Sequence, residues 1–215
     1  HGCDINAKKN RPFSQMAMRL SAWNIFVSHR QMLNAFGTEK RANKYTNWSI
    51  MPCGIDIHLF DSENCCEQWF DNRFTNKDYV LFAGSFDNFV KDPVLAKQVV
   101  DVYNTIHPEQ SIELLELRGY SRDEVVTLMH KCKTLLLTSI REGSPQVVKE
   151  AMACGCPIVS VDVGDVAERL DKMEGGYIVS SRNPFDIAEA LEYAIHIGRT
   201  KGREKLLADG LDNVQ

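Results

Sequence analysis

The sequence predicts an α/β fold in which a Rossmann-like parallel sheet carries helices on both faces. From Tyr79 onward, short apolar runs alternate with longer segments that have apolar residues at helical spacing. The connections between these segments are short, which favours parallel strands joined by helices that cross back over the sheet. Sheets of this kind bind their ligands beyond the carboxyl ends of the strands.

The second part of the chain, residues 77–215, accounts for most of this pattern. Continuous apolar runs indicate strands buried on both faces, predicted at Tyr79–Gly84, Ile112–Leu117, Thr134–Thr138, Pro157–Val161 and Tyr177–Ser180. Helices are predicted at Pro93–Ile106, from Ser121 through residue 132, and at Pro145–Cys154, Val166–Met173 and Pro184–Arg199. Ser121 and Glu124 have the spacing of a capping box.

Residues 1–76 contain fewer elements. The pattern predicts a helix at Gln15–Trp23, strands at Asn24–Ser28 and Trp48–Met51, and a helix that begins at Gln31. These units are too few for a closed domain. The stretch Asp61–Lys77 is charged and aromatic without periodicity, so it is interpreted as a linker.

The composition excludes some classes of function. The net charge of -4 gives no field that would attract nucleic acid, and no apolar run approaches the length of a membrane span. The seven cysteines form no paired CxxC spacing, which favours reduced thiols in a cytosolic protein. A metal role for Cys154 and Cys156 is the alternative to that interpretation.

The most informative stretch is Ser139–Val163, which is a strand, a tight loop, a helix, a glycine stop and another strand. Ser144 is predicted as the N-cap of its helix and Pro145 as the first helical residue. Gly143 lets the backbone approach a ligand closely. The free N–H groups and the dipole of such a helix start favour an anion, and a diphosphate fits that preference.

Two glutamates bracket this turn. Glu142 follows the strand, where open α/β sheets place their ligands, and Glu150 lies on the helix. A carboxylate at Glu150 can accept hydrogen bonds from paired hydroxyl groups, such as those of ribose. The alternative is that both are solvated surface acids.

This stretch closely resembles the signature of retaining glycosyltransferases of the GT-B fold, family four, also described as glycosyl transferases group 1. The matching residues are Glu142, Glu150, Ala151, Met152, Ala153, Gly155, Pro157, Ile158 and Val159. The loop departs from the family, which often has Gly-Phe-Gly where this chain has Gly143-Ser144-Pro145. The resemblance implies that residues 77–215 are the nucleotide-sugar donor-binding domain. It also implies that residues 1–76 are the C-terminal part of the acceptor-side Rossmann-like domain with the inter-domain linker.

Further residues match the family outside the signature. Phe82–Pro93 resembles the strand and loop that open the donor domain, where an arginine and a lysine grip the diphosphate. Lys91 matches the lysine in register with Gly84, and Ser85 stands where the arginine is usual. Gly164 belongs to a loop that resembles the glycine-bearing loop near the donor sugar and nucleotide.

Two more segments resemble the family. Met51–Phe60 is similar to its inter-domain motif, and the first four residues are similar to a His-Gly-x-Asp segment of the acceptor domain. In that segment a histidine, here His1, lines the cleft near the transferred sugar. The resemblance therefore implies that the protein begins before His1 and continues past Gln215.

The resemblance implies transfer of a sugar from a nucleoside diphosphate sugar to a glycan or lipid-linked acceptor. The transfer is expected to retain the configuration at the anomeric carbon and to require no cofactor or metal. Lys91, Glu142 and His1 are the expected catalytic residues. The expected setting is cytoplasmic synthesis of a bacterial surface polysaccharide or glycolipid, with peripheral membrane association left open and no nucleic-acid partner. The competing hypothesis is a nucleotide-sugar-binding fragment without turnover. A redox Rossmann protein requires a G-x-G-x-x-G turn after its first strand, and the sequence has none.

Overall fold

The computed structural model describes residues 11–74 and 77–212. Its N-terminal unit contains helices and two short strands: α1 (Arg11–Leu20), β1 (Asn24–Phe26), α2 (His29–Phe36), α3 (Glu39–Ala42) and β2 (Trp48–Ile50). The two strands pair in parallel. Phe26, Phe36 and Trp48 form a small aromatic core, with ring centroids 5.5 to 6.3 Å apart.

Helix α1 does not have the predicted bounds. It begins before Gln15 and ends at Leu20, so Trp23 lies outside it. The Trp23 indole N–H instead donates to the Ser49 hydroxyl at 3.1 Å. That contact fixes the indole beside the β1–β2 pair, which explains why the apolar spacing of Trp23 was a wrong guide to the helix end.

Residues 51–66, here called the crossing segment, lead from the N-terminal unit to the larger sheet. They include two short 3₁₀ turns, Ile57–Phe60 and Ser62–Asn64. Helix α4 (Glu67–Arg73) follows, so the lack of periodicity in Asp61–Lys77 was a wrong guide to its local structure. The periodicity is hidden because aromatic side chains of this region pack on the next unit: the ring centroids of Trp69 and Tyr120 lie 5.7 Å apart.

The larger part of the structure is one parallel sheet with its helices. Its strands are β3 (Asp78–Phe82), β4 (Ile112–Glu116), β5 (Thr134–Leu137), β6 (Ile158–Val161) and β7 (Gly176–Val179). The helices are α5 (Pro93–Ile106), α6 (Arg122–Lys131), α7 (Gln146–Ala153), α8 (Val166–Leu170), α9 (Pro184–Ile197) and α10 (Gly202–Ala208). Two 3₁₀ turns, Phe89–Lys91 and Pro108–Gln110, lie on either side of α5.

The strand order is β4-β3-β5-β6-β7, and every neighbouring pair is parallel. Leu81, Leu136 and Val159 in the central strands are fully buried, as the continuous apolar runs predicted. The expected Rossmann-like α/β fold is thereby confirmed. Because β4 and β5 lie on opposite sides of β3, the chain changes direction along the sheet between β3 and β5. Such a switch point opens a crevice at the carboxyl ends of the strands.

The start of α7 differs from the prediction. The helix begins at Gln146, Pro145 occupies the N-cap position, and no side chain caps it. Ser144 is therefore not the N-cap. Its hydroxyl donates to Asp165 Oδ2 at 2.8 Å, because that carboxylate is buried and needs donors more than the helix end needs an acceptor.

Candidate functional site

Lys91 and Glu142 meet at the crevice between β3 and β5. Lys91 ends the 3₁₀ turn that follows β3, and Glu142 lies in the loop after β5. Lys91 Nζ donates to Glu142 Oε1 at 2.5 Å, and the Ser139 hydroxyl donates to the same oxygen at 2.7 Å. The lysine and glutamate side chains are 21% and 13% exposed, so the pair is largely withdrawn from solvent yet open to a ligand.

Backbone contacts hold Lys91 in this position. A Cβ at Gly84 would lie 2.7 Å from Lys91 Cγ, so the glycine leaves room for the lysine stem. The Thr138 hydroxyl lies 2.9 Å from the carbonyl oxygens of both Lys91 and Asp92. Asp92 has a left-handed backbone (φ 52°) and caps α5 by accepting from the Leu95 N–H at 3.2 Å. The lysine is thus placed by the strand end, the helix start and β5 together.

Glu150 lies on α7 and faces the same opening. Its Oε1 accepts a hydrogen bond from Arg122 Nη1 at 3.1 Å, and Arg122 is the first residue of α6. An open cleft of about 590 Å³, here called the main cleft, brings these groups together. It is lined by Ala83, Gly84, Lys91, Leu117, Tyr120, Ser121, Arg122, Val125, Glu142, Pro145, Gln146, Val147 and Glu150.

The charges around the main cleft balance. Lys91 pairs with Glu142 and Arg122 pairs with Glu150, so each cation has a carboxylate partner. Carboxylates accept hydrogen bonds from hydroxyl groups, whereas a lysine and an uncapped helix start favour phosphate oxygens. The arrangement can therefore hold a ligand that carries both several hydroxyl groups and an anionic group.

A second depression, here called the side pocket, lies on the other side of Glu142. It has a volume of about 280 Å³ and is bounded by residues of the N-terminal unit and by the loops after β5 and β6. Gly143 and Gly164 both line it. Gly164 has a φ of +58°, and a Cβ there would lie 2.7 Å from the Gly143 carbonyl oxygen. The two loops are packed so closely that only glycine fits at position 164.

Two buried charged residues, Asp165 and Lys149, hold these loops and the start of α7 in place. Asp165 is 1% exposed, and burial raises the pKa of its carboxyl group. Its backbone N–H donates to the Gly143 carbonyl at 3.1 Å. Lys149 on α7 is fully buried, and burial lowers the pKa of its amine. Its Nζ donates to the Cys53 carbonyl at 2.5 Å and to Gln146 Oε1 at 2.8 Å, which ties the crossing segment to α7.

The structure brings most of the expected site residues to two neighbouring depressions. Those that line the main cleft are Gly84, Lys91, Glu142, Pro145 and Glu150. Gly143 and Gly164 line the side pocket, which Glu142 shares. The Ser85 hydroxyl instead accepts hydrogen bonds from the Asp87 N–H and from Arg118, both at 3.3 Å. His1, the third expected catalytic residue, lies outside the described residues.

Three polar residues at the site were missed by the sequence analysis: Thr138, Ser139 and Arg122. Thr138 and Ser139 directly follow β5, which is itself a signal for ligand-proximal side chains in an open α/β sheet. Arg122 directly follows Ser121, the predicted N-cap after β4, so its position near the strand ends could also have been predicted. Its contact with Glu150 depends on the packing of α6 against α7, which the sequence does not show.

The described part of the chain shows no cluster of three or more histidine, cysteine, aspartate or glutamate residues that could hold a metal ion. Cys154 and Cys156, the pair considered for a metal, are buried, and burial raises the pKa of both thiols, to about 11 for Cys156. None of the described helices has the length and apolar character needed to cross a membrane.

Comparison with known proteins identifies relatives of this chain. Residues 111–208 match the family model described as glycosyl transferases group 1. An uncharacterized glycosyltransferase of Methanocaldococcus jannaschii is 35% identical over 80 residues, which cover 37% of this chain and 22% of that protein. The human alpha-1,3/1,6-mannosyltransferase ALG2 is 32% identical over 125 residues, or 56% of this chain and 29% of that protein. The chain thus spans less than a third of either relative.

Solved structures share the fold at low sequence identity. A UDP-forming alpha,alpha-trehalose-phosphate synthase from Burkholderia vietnamiensis superposes with a TM-score of 0.73 at 14% identity, over 94% of this chain and 58% of that one. Anabaena HepE, solved in complex with UDP and glucose, gives 0.70 at 18% identity, over 97% and 64%. These likenesses show that the fold is of the GT-B type.

Proposed function

We propose that this chain binds a nucleoside diphosphate sugar and serves the transfer of its sugar to a glycan or lipid-linked acceptor, because residues 111–208 match the family model of glycosyl transferases group 1. The observation that carries the proposal is the main cleft. Lys91, Glu142 and Glu150 converge there at the switch point of a parallel sheet. We further propose that the transfer proceeds with retention and that its setting is cytoplasmic synthesis of a polysaccharide or glycolipid.

The energetic task in such a transfer is to stabilise charge on the departing diphosphate. The Lys91 backbone is held at the cleft by the Thr138 hydroxyl and its ammonium group is paired with Glu142, so the cation lies at the cleft before the donor binds. The start of α7 opens on the same cleft without a side-chain cap. Fixed positive charge and a helix start, aimed where charge develops, stabilise the transition state without a metal ion.

The two glutamates take the hydroxyl groups of the donor. Glu142 borders both the main cleft and the side pocket, and we assign it to the transferred sugar. Glu150 lies further along the main cleft, and we assign it to the ribose. When a donor hydroxyl shares the Glu142 carboxylate, the Lys91 ammonium group gains freedom to contact a phosphate oxygen. Lys91 therefore stays at the cleft while its ammonium group exchanges the Glu142 carboxylate for the donor phosphate.

The proposal is tested by titration calorimetry of the chain with UDP, GDP and ADP. A sugar-release and transfer assay with UDP-glucose and GDP-mannose follows. We expect one nucleoside diphosphate to bind more tightly than the other two, and its sugar conjugate to be turned over. Absence of binding by all three nucleotides would refute the proposal, because the cleft would then lack its donor.

A second candidate is a binding unit without turnover. It is favoured by the main cleft, since Lys91, Glu142 and Glu150 all belong to the larger unit and can hold a nucleotide without any group from an acceptor side. The same titrations separate the candidates. Nucleotide binding with neither sugar release nor transfer supports the binding unit, whereas measurable transfer supports the enzyme.

A further inference from the structure

Arg122 connects the proposed ribose carboxylate to the crossing segment. Its guanidinium group donates to Glu150 Oε1 at 3.1 Å, and the same group lies over the ring of Phe60, with Cζ 5.5 Å from the ring centroid. Phe60 belongs to the crossing segment and is 2% exposed. The arginine thus bridges three separate parts of the chain: α6, α7 and the crossing segment.

The Phe60 ring is a fixed platform. Its backbone carbonyl accepts a hydrogen bond from His130 Nε2 at 3.0 Å and lies 3.9 Å from Cys154 Sγ. The first contact comes from α6 and the second from the end of α7. A guanidinium group that stacks on a buried ring loses little further freedom when it also holds a carboxylate. Arg122 is therefore preorganised to orient Glu150.

We propose that Arg122 is a positioning residue that fixes the Glu150 carboxylate for the ribose hydroxyls and so sets the preference for ribonucleotides over 2′-deoxyribonucleotides. The proposal rests on the proposed function, since it assigns Glu150 to the ribose. A glutamate side chain 19% exposed on an open cleft would otherwise sample several rotamers. Holding one oxygen of Glu150 on the guanidinium leaves the other free to accept a hydroxyl group.

The experiment compares UDP, GDP and ADP with their 2′-deoxy forms by calorimetry on the full chain. The variants are Arg122→Ala, Arg122→Lys, Glu150→Ala and the double variant Arg122→Ala/Glu150→Ala. Wild type is expected to prefer the ribonucleotide by about tenfold or more, the effect of a hydrogen bond to a charged group. Arg122→Ala should reduce that ratio to about twofold, and Arg122→Lys should restore only part of it because lysine lacks the planar fork.

The double variant distinguishes positioning from an independent effect. If Arg122 acts through Glu150, the double variant has the same ribose preference as Glu150→Ala alone, because the second change removes nothing more. Lys131→Ala is the control: it removes an exposed ion pair with Glu67 from the same helix, away from the main cleft. This control should keep the wild-type ratio.

Two results would overturn the proposal while leaving the proposed function intact. One is an Arg122→Ala variant that retains the wild-type ribose preference. The other is equal weakening of ribo- and deoxyribonucleotide binding, which would make Arg122 a direct phosphate ligand. By contrast, a wild-type chain that binds none of the nucleoside diphosphates would remove the proposed function and this inference together.

Discussion

Lys91 and Glu142 neutralise each other at the main cleft, so replacing one of them has two separable effects. Lys91→Met leaves a largely buried carboxylate without its ammonium partner, and we expect the free energy of unfolding to fall by about 1–3 kcal/mol. It also removes the cation proposed for the diphosphate. Urea denaturation measures the first effect, and calorimetry with the preferred nucleoside diphosphate measures the second.

The double variant Lys91→Met/Glu142→Gln separates stability from function. It removes both charges, so most of the lost stability should return. Donor binding and turnover should stay impaired, because the cation and the hydroxyl acceptor are both gone. Wild-type turnover in this double variant would remove Lys91 and Glu142 from the site.

Gly164 and Gly143 offer a second comparison at single residues. A methyl group at position 164 would meet the Gly143 carbonyl oxygen at 2.7 Å on a backbone with φ +58°, so Gly164→Ala should cost about 1–3 kcal/mol of stability. Nothing lies within 4 Å of a Cβ at Gly143. Gly143→Ala should therefore melt like wild type yet weaken sugar-nucleotide binding, if the backbone there approaches the donor. Equal melting temperatures for the two variants would contradict the close packing of these loops.

At the scale of the secondary-structure elements, the sequence succeeds where local signals decide the outcome. The bounds of α5 are as predicted at both ends, and the Ser121–Glu124 capping box forms as predicted. Prediction from the sequence fails where tertiary contacts override the local signals. The Ser144 hydroxyl is drawn to a buried carboxylate, and α4 is masked because its aromatic residues pack on a neighbouring unit.

The candidate site was predictable only in part, for a related reason. The spacing of Glu142 and Glu150 across one loop and helix is local, and both side chains do border one cleft. The ion pair between Lys91 and Glu142 forms because β3 and β5 are neighbours in the sheet. The order of the strands in the sheet could not be predicted from the sequence pattern. The support of Glu150 by Arg122 depends likewise on helix packing.

Helix α6 is tied to the crossing segment by His130, and the burial of this imidazole makes stability depend on pH. Burial lowers the pKa of His130, so the unfolded chain binds the proton more readily between the folded pKa and the ordinary value of about 6.5. Stability is then lost as the pH falls below about 6.5. His130→Gln should flatten this dependence in urea denaturation measured from about pH 7 to about pH 5.

His196→Gln is the control for that measurement, since His196 is an exposed histidine on α9. It should follow the wild-type pH dependence. An unchanged slope for His130→Gln would mean that another group is responsible for the acid sensitivity.

At the scale of the whole molecule, the N-terminal unit meets the larger sheet beside the side pocket. Arg30 Nη1 lies 2.6 Å from Asp162 Oδ1, and the Arg30 backbone N–H donates to Glu168 at 3.3 Å. Both Arg30 contacts are made to loops or helices that follow β6. The ion pair is about half exposed, so its contribution to the free energy of unfolding should be below about 1 kcal/mol.

The Arg30–Asp162 ion pair instead holds the N-terminal unit against the larger sheet beside the side pocket. We therefore predict that Arg30→Ala barely changes the urea midpoint but speeds limited proteolysis within the crossing segment, because the two units separate more often. Lys133→Ala is the matched control, since it removes a similarly exposed pair with Asp78 inside the larger sheet. Cleavage of Arg30→Ala at the wild-type rate, or equal acceleration by Lys133→Ala, would show that the contact does not hold the units together. Added salt should weaken the wild-type contact as well, because the screening length for exposed charges falls from about 10 Å at roughly 0.1 M to about 3 Å at roughly 1 M ionic strength.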